Sequence, residues 1–252
     1  MKRILLPLFA VLCAMSPLAG AVDEPLDARR IVQMAHAAAG GDSWKRPRTL
    51  HLTGTAVLYA DGTAASRKEV SHYEMWREFP AWNRAAHGAN GRFRLDARNG
   101  DATLYQISYD GKDTWNDKGR VEQAEASREW SENFGFGIIR FALDDGFVLT
   151  RMADDQVEGR AAWTVRVADP GGATTMFWID QADHTVRKVG FATPRGWHER
   201  IYSDFYMVPQ PRFQQPGRVR LYYGGALVSD IRWTHAMVDA PIAHEVFVLG
   251  GR

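Results

Sequence analysis

Histidines and carboxylates are the side chains through which this chain could do hydrolytic or metal chemistry, and their spacing argues against both. His244 and Glu245 begin an H-E-x-x-H motif, but Val248 stands where the second zinc-binding histidine is required. The other histidines are scattered, with no pair at a spacing typical of metal ligands. Nor is there a G-x-S-x-G elbow, a P-loop or a G-x-G-x-x-G loop. We therefore expect no catalytic residue, no metal site and no cofactor.

Aromatic side chains are the remaining candidates for function. The chain has 12 Phe, 9 Trp and 8 Tyr, and many of them recur on the faces of expected strands and helices. Such rings either fill a closed core or line an apolar cavity that accepts acyl chains. Both readings are open from the residues alone. The candidate cavity residues are Tyr73, Trp76, Trp115, Trp130, Phe134, Trp163 and Trp178.

The first 21 residues have the pattern of a secretory leader. A basic start, Met1 to Arg3, precedes an apolar run from Ile4 to Met15 and an A-x-A site at Ala19-Gly20-Ala21. We expect cleavage after Ala21 and export to the periplasm. The only cysteine, Cys13, lies in the leader after a large Leu12, which disfavours lipid attachment and leaves the exported chain without a thiol.

Composition limits the class of the exported chain, residues 22–252. Loss of Lys2 and Arg3 with the leader takes the formal net charge from +1 to −1, without a block of like charge, so nucleic acid is not an expected partner. No second apolar run approaches ~20 residues. No repeat or linker marks a boundary, so we expect one domain over 22–252 and a monomer.

Hydrophobic periodicity predicts one N-terminal helix followed by antiparallel strands. Pro25 to Ala39 is amphipathic and ends at Gly40-Gly41, a typical C-cap. After it the period changes to two, with Asp-Gly turns at Asp61-Gly62 and Asp110-Gly111. Strands are predicted at 50–59, 66–77, 104–109, 114–116, 161–168, 174–180, 185–192, 198–208, 218–223 and 226–238. This order is typical of a long antiparallel meander.

One segment between the two runs of strands has helical spacing. Ser127 to Leu143 places large apolar residues one turn apart, while Gly135 and Gly137 weaken a helix by roughly 1 kcal/mol each. We predict either one weakened helix or two short ones. Such a segment suits a movable plug over the sheet or, equally well, a helix packed there permanently.

Short motifs spread over the chain resemble one known superfamily. They are Ala38-Ala39-Gly40-Gly41, Gly91-Arg92-Phe93-Arg94, Tyr109-Asp110-Gly111-Lys112-Asp113-Thr114-Trp115, Glu158-Gly159-Arg160 before Trp163, Phe177-Trp178-Ile179-Asp180, Tyr202-Ser203-Asp204-Phe205, and Asp239-Ala240-Pro241-Ile242 with Phe247. In order and spacing the chain resembles the periplasmic lipoprotein carrier LolA, the lipoprotein receptor LolB and the regulator-binding protein RseB.

The resemblance implies a mainly β fold, an unclosed antiparallel barrel of about eleven strands with helices covering its concave face. It also implies an arginine in the cavity that holds the helical lid shut, for which Arg77, Arg92 and Arg94 are the candidates. The stretches 82–90 and 209–217 look less regular than in the carriers themselves. We therefore expect a relative of the carrier rather than the carrier itself.

Three functions follow from these observations, in order. The first is a non-catalytic periplasmic carrier for a lipid, the acyl chains of a lipoprotein or a similar amphiphile. The second is an interaction or sensor module that docks an inner- or outer-membrane protein such as a regulator or exporter. The third is an enzyme of unrecognised type.

Overall fold

A computed structural model describes residues 26–82, 85–86, 90–122 and 135–249. The described residues form two α-helices, α1 (Ala28–Ala39) and α2 (Asp42–Lys45), and three 3-10 helices at Ala64–Ser66, Gly135–Phe141 and His244–Phe247. The strands are β1 (Thr49–Tyr59), β2 (Arg67–Glu78), β3 (Arg92–Asn99), β4 (Ala102–Tyr109), β5 (Thr114–Asn116), β6 (Gly119–Arg120), β7 (Val148–Arg151), β8 (Asp155–Val157), β9 (Arg160–Ala168), β10 (Thr174–Asp180), β11 (Val186–Thr193), β12 (Gly196–Val208), β13 (Phe213–Tyr223) and β14 (Ala226–Val238).

All 14 strands belong to one unclosed antiparallel sheet. Its order is β6-β5-β4-β3-β2-β1-β14-β13-β12-β11-β10-β9-β7, and β8 pairs with β9 beside β7. The first and last strands of the chain are therefore neighbours in the middle, where Leu50 pairs with Val238. The predicted fold class is confirmed, with 14 strands instead of the about eleven that the resemblance implied. Short strands such as β6 and β8 carry too few residues to show a period of two, so periodicity does not predict them.

Both ends of helix α1 are defined by local interactions, a capping hydrogen bond at the start and a glycine at the end. The Oδ1 atom of Asp27 accepts a hydrogen bond of 2.7 Å from the backbone N–H of Arg30, which caps the first turn. Leu26 precedes this cap, so the helix is shorter than the predicted 25–39. At the other end Gly40 has φ +131°, and a Cβ there would lie 2.3 Å from the carbonyl oxygen of Arg212. Glycine is required at this position by both angle and space.

The helices cover one face of the sheet, here named the inner face. Ile31, Val32 and Ala35 of α1 are fully buried in a core shared with the strands. Trp44 of α2 and Ile138 of the 3-10 helix Gly135–Phe141 belong to the same core. That 3-10 helix is named the covering helix below. It falls in the predicted segment 127–143, of which residues 127–134 lie outside the described residues.

Strand β13 begins earlier than the sequence indicates. Pro216 and Gly217 suggested irregular chain up to 217, yet β13 begins at Phe213. Pro216 is tolerated because β13 pairs with β14 only from Arg218 onward, so its missing N–H interrupts no bond on that side. Position 217 has no room for a side chain, because a Cβ there would lie 2.4 Å from the carbonyl oxygen of Asp204. Glycine therefore fits at this position.

Candidate ligand-binding site

A cavity of about 170 Å³ lies between the inner face and the covering helix. The strands that form its walls are β1, β2, β3, β12, β13 and β14. Apolar wall residues include Leu50, Leu52, Met75, Phe93, Leu95, Val219, Leu221 and Ile231, and Trp44, Gly137 and Arg140 contribute from α2 and the covering helix. An apolar cavity of about this size accepts a molecule as large as benzene. A longer acyl chain requires the cavity to widen.

Two aromatic rings meet on the cavity wall across a glycine. Gly54 of β1 pairs with Tyr73 on one side and with Trp233 on the other. The two ring centroids are 5.3 Å apart, at 33° to each other. A Cβ at Gly54 would lie 1.9 Å from the carbonyl oxygen of Arg232, so only glycine fits here. Burial raises the pKa of the Tyr73 hydroxyl well above its ordinary value, so it stays protonated.

The covering helix is tied to α1 through a buried histidine. The Nε2–H group of His36 donates a hydrogen bond of 2.8 Å to the carbonyl oxygen of Ile139. The imidazole ring also lies 5.8 Å from the ring of Trp44. Burial lowers the pKa of His36 from 6.5 to about 4, partly offset by the hydrogen bond to Ile139. The neutral imidazole is therefore the form that joins the two elements.

Three arginines contribute to the cavity lining: Arg77 of β2, Arg140 of the covering helix and Arg200 of β12. Arg140 is only 5% exposed, and its guanidinium lies over three rings, 4.9 Å from the centroids of Trp44 and Phe79 and 5.3 Å from that of Phe213. Burial lowers the pKa of Arg140 to about 9. Burial, followed by the positive charges of Arg140 and Arg200, lowers the pKa of Arg77 to about 9. Both groups stay charged at neutral pH.

The structure separates the aromatic residues that the sequence analysis grouped. Tyr73 lines the cavity. Trp163 is on the inner face but outside this cavity, and it stacks on His184 with centroids 5.7 Å apart. Trp130 and Phe134 lie outside the described residues.

Trp76, Trp115 and Trp178 lie on the outer face of the sheet and so do not share a wall with Tyr73. Trp76 pairs with Arg94, and alternation along β2 turns it away from Tyr73 and Met75 toward a stack with His51 at 5.1 Å. Its sequence spacing of three from Tyr73 is helical, not extended, so the two residues cannot share a strand face.

The other two tryptophans are held on that outer face by carboxylates. The indole N–H of Trp115 donates to Oδ2 of Asp110 at 3.0 Å. The indole N–H of Trp178 donates to Oδ2 of Asp155 at 2.9 Å, and Lys188 Nζ lies 3.9 Å from its ring centroid. Both rings therefore have structural partners away from the cavity described here.

The three arginines considered for holding the lid are also placed differently. A Cβ at Gly137 of the covering helix would lie 3.7 Å from Nη2 of Arg77, so Arg77 is beside that helix. Arg92 pairs with Glu78 at 3.1 Å. Arg94 pairs with Asp96 at 2.7 Å on the outer face and donates to the carbonyl oxygen of Val246 at 3.0 Å. Of these three, Arg77 alone lines the cavity.

Sequence reasoning missed Arg140, Arg200, Trp44 and Trp233 as cavity residues. A signal existed for Arg140, because it is the single charge in the run Gly137-Ile138-Ile139-Arg140-Phe141. No comparable signal marks Arg200, which directly follows two other polar residues, His198 and Glu199, in β12.

The described part of the chain shows neither a metal site nor a membrane span. Within it, no group of three His, Cys, Asp or Glu side chains is placed to hold a metal ion. None of the helices described is long and apolar enough to cross a membrane.

The fold is that of LolA-like proteins, as the sequence resemblance implied. No protein-family model and no curated protein matches the chain. Among solved structures it is similar to a domain described as an outer membrane lipoprotein-sorting protein domain from Vibrio parahaemolyticus, with a TM-score of 0.56, 10% identity and coverage of 87% of this chain and 95% of that one. It is also similar to a LolA superfamily protein from Nitrosomonas europaea, with a TM-score of 0.53, 12% identity and coverage of 89% and 98%. A DUF1329 family protein from Desulfovibrio piger gives a TM-score of 0.52 at 10% identity, with coverage of 88% and 97%.

Proposed function

We propose that this protein is a non-catalytic periplasmic carrier that holds the acyl chain of a lipid or lipoprotein on the inner face of its sheet. The observation that carries the proposal is the apolar-walled cavity between the sheet and the covering helix, in a LolA-like fold. Burial of an acyl chain there is favourable by ~0.8 kcal/mol per methylene. The leader pattern in residues 1–21 supports export to the periplasm.

Movement of the covering helix would admit a chain longer than the closed cavity allows. This helix is a 3-10 segment with Gly135 and Gly137, and its side chains Ile138 and Ile139 are fully buried. It therefore closes an apolar space with a backbone that is weak in helical propensity. In the proposed cycle, Arg77, which lies beside Gly137, holds this helix in the closed state when the cavity is occupied.

Titration with dansyl-labelled undecanoic acid tests the carrier function. We expect one probe per protein, a blue shift of dansyl emission and quenching of tryptophan emission, since Trp44 and Trp233 line the cavity. Val219→Phe fills the cavity and should weaken binding about tenfold. Val57→Phe, in β1 but outside the cavity lining, is the matched control.

The same experiment can contradict the proposal. Absence of probe binding, together with a lack of lipid in native mass spectra of protein purified from its own periplasm, would rule out the carrier. A membrane protein recovered with the chain in that case would favour the interaction module instead.

A further inference from the structure

The charge of the cavity lining is one-sided. Of the 22 described residues that line it, three are arginines and none is an aspartate or glutamate. Each buried cation opposes burial in an apolar space, and the role proposed for Arg77 in holding the covering helix accounts for only one of the three. The lining therefore favours a ligand with a property besides apolar character.

Arg140 is the clearest case of a buried cation in this lining. Its side chain is 5% exposed and belongs to the cavity lining. Its Nε and Nη1 atoms have no hydrogen-bond partner in the described ranges of the chain. The guanidinium lies over the rings of Trp44, Phe79 and Phe213, which stabilise a cation but offer no oxygen acceptor to its N–H groups.

Two neighbouring arginines add positive charge around the cavity. Arg77 and Arg200 line the same cavity, and the charges of Arg140 and Arg200 both act on Arg77. The hydroxyl of Tyr202, also in the lining, lies near Arg200 and Arg140 and stays protonated because burial raises its pKa. An anion beside Arg140 would also be attracted by the charges of Arg77 and Arg200.

We propose that the ligand of this cavity is an acyl chain with an anionic headgroup, a carboxylate or phosphate, that accepts hydrogen bonds from Arg140. This inference rests on the proposed carrier function and specifies its ligand class. The planar guanidinium suits two-point contact with either oxyanion. The apolar wall formed by Leu50, Leu52 and Ile231 takes the chain.

Matched twelve-carbon ligands test the charge requirement. Dodecanoate and dodecanol are titrated against the bound dansyl probe at pH 8. We expect dodecanoate to bind about tenfold more tightly than dodecanol, since hydrogen bonds to a charged group are the stronger ones. Dodecyl phosphate should also outcompete dodecanol.

Variants at one position link the preference to Arg140. Arg140→Met should abolish the difference between acid and alcohol while dodecanol still binds, and Arg140→Lys should retain part of the difference because it keeps the charge. Arg232→Met, at an exposed arginine of β14 outside the cavity lining, is the control.

The outcomes separate the two proposals. Equal binding of dodecanoate and dodecanol overturns the anionic-ligand inference and leaves the carrier function standing. Failure of both ligands and of the probe rejects the carrier function itself. Competition by inorganic phosphate or acetate at the same concentrations would show a site for free anions and would also overturn the inference, since no chain would then be needed.

Discussion

The imidazole of His36 is hydrogen-bonded to the carbonyl oxygen of Ile139 at 2.8 Å, so a titratable group in α1 directly holds the helix that closes the cavity. The contact joins residues 103 positions apart in the chain. Because both residues are buried, it exists only when α1 and the covering helix are both docked on the sheet.

Acidification is expected to destabilise the protein through His36. Its folded-state pKa is about 4, below the unfolded value of 6.5, so between these values the unfolded chain binds the proton more readily. This contribution lowers stability as the pH falls from 6.5 to 4 and reaches about 2.5 kcal/mol at pH 4.5. Urea unfolding at pH 7.5 and 4.5 measures it. His36→Gln should lose about 2.5 kcal/mol less on acidification, whereas the exposed His235→Gln should behave as wild type. Equal losses in all three proteins would contradict a neutral buried His36.

A methyl group at Gly54 is expected to disrupt the centre of the sheet. The added Cβ would overlap the carbonyl oxygen of Arg232 at 1.9 Å, which forces β1 and β14 apart and separates Tyr73 from Trp233. Gly54→Ala should lower the free energy of unfolding by about 3 kcal/mol. Gly171→Ala, whose Cβ would meet a side-chain oxygen at 3.4 Å, is the control. Thermal or urea unfolding measures both, and matching stabilities would show that the strands are not this close.

Replacement of Arg140 by an apolar residue is expected to stabilise the protein. A buried cation without a carboxylate partner in the described residues opposes folding, and methionine fills similar space without charge. Arg140→Met should raise the free energy of unfolding by about 1 to 3 kcal/mol at pH 7 in the absence of ligand. The exposed Arg232→Met should change it little. A large destabilisation would mean that Arg140 is already neutralised in the free protein.

Ligand binding is expected to stabilise the closed position of the covering helix. Without an anion, the charges of Arg77 and Arg140 repel each other across the boundary between β2 and this helix. With dodecanoate bound, amide hydrogen exchange in residues 136–141 should slow about tenfold, and Arg77→Met should reduce that slowing. Amides of β9 serve as the internal reference. If residues 136–141 are protected as strongly as β9 with and without ligand, the helix is permanent scaffold.

The strands were predictable from sequence because their signals are local. Alternation and Asp-Gly turns locate β1, β2, β9, β10 and β14 to within one residue. The cavity was harder, since its wall forms from residues that approach only through the sheet order. Tyr73 and Trp233 meet through Gly54, and nothing in their separate surroundings indicates that contact.

Charge patterns were informative in one place and misleading in another. Arg140 is a lone cation in an apolar run, which marks it from sequence alone. Arg94 also stands among apolar residues, but its neighbour two positions on, Asp96, shares its outward face and pairs with it. The sequence distinguishes Arg94 from Arg140 only after Arg94 has been assigned to the outward face of a strand.

The pairing of β1 with β14 has a consequence for how the chain is made. Strands β1 to β6 pair with neighbours along the chain, as do strands β9 to β13, so both groups can form early. The two groups are joined only when the last strand, β14, is available to pair with β1. During synthesis β1 therefore presents an open edge with unpaired N–H and C=O groups, a known template for association with other chains. We expect the yield of refolding to fall steeply with protein concentration, and assembly in the cell to depend on keeping that edge unoccupied until β14 arrives.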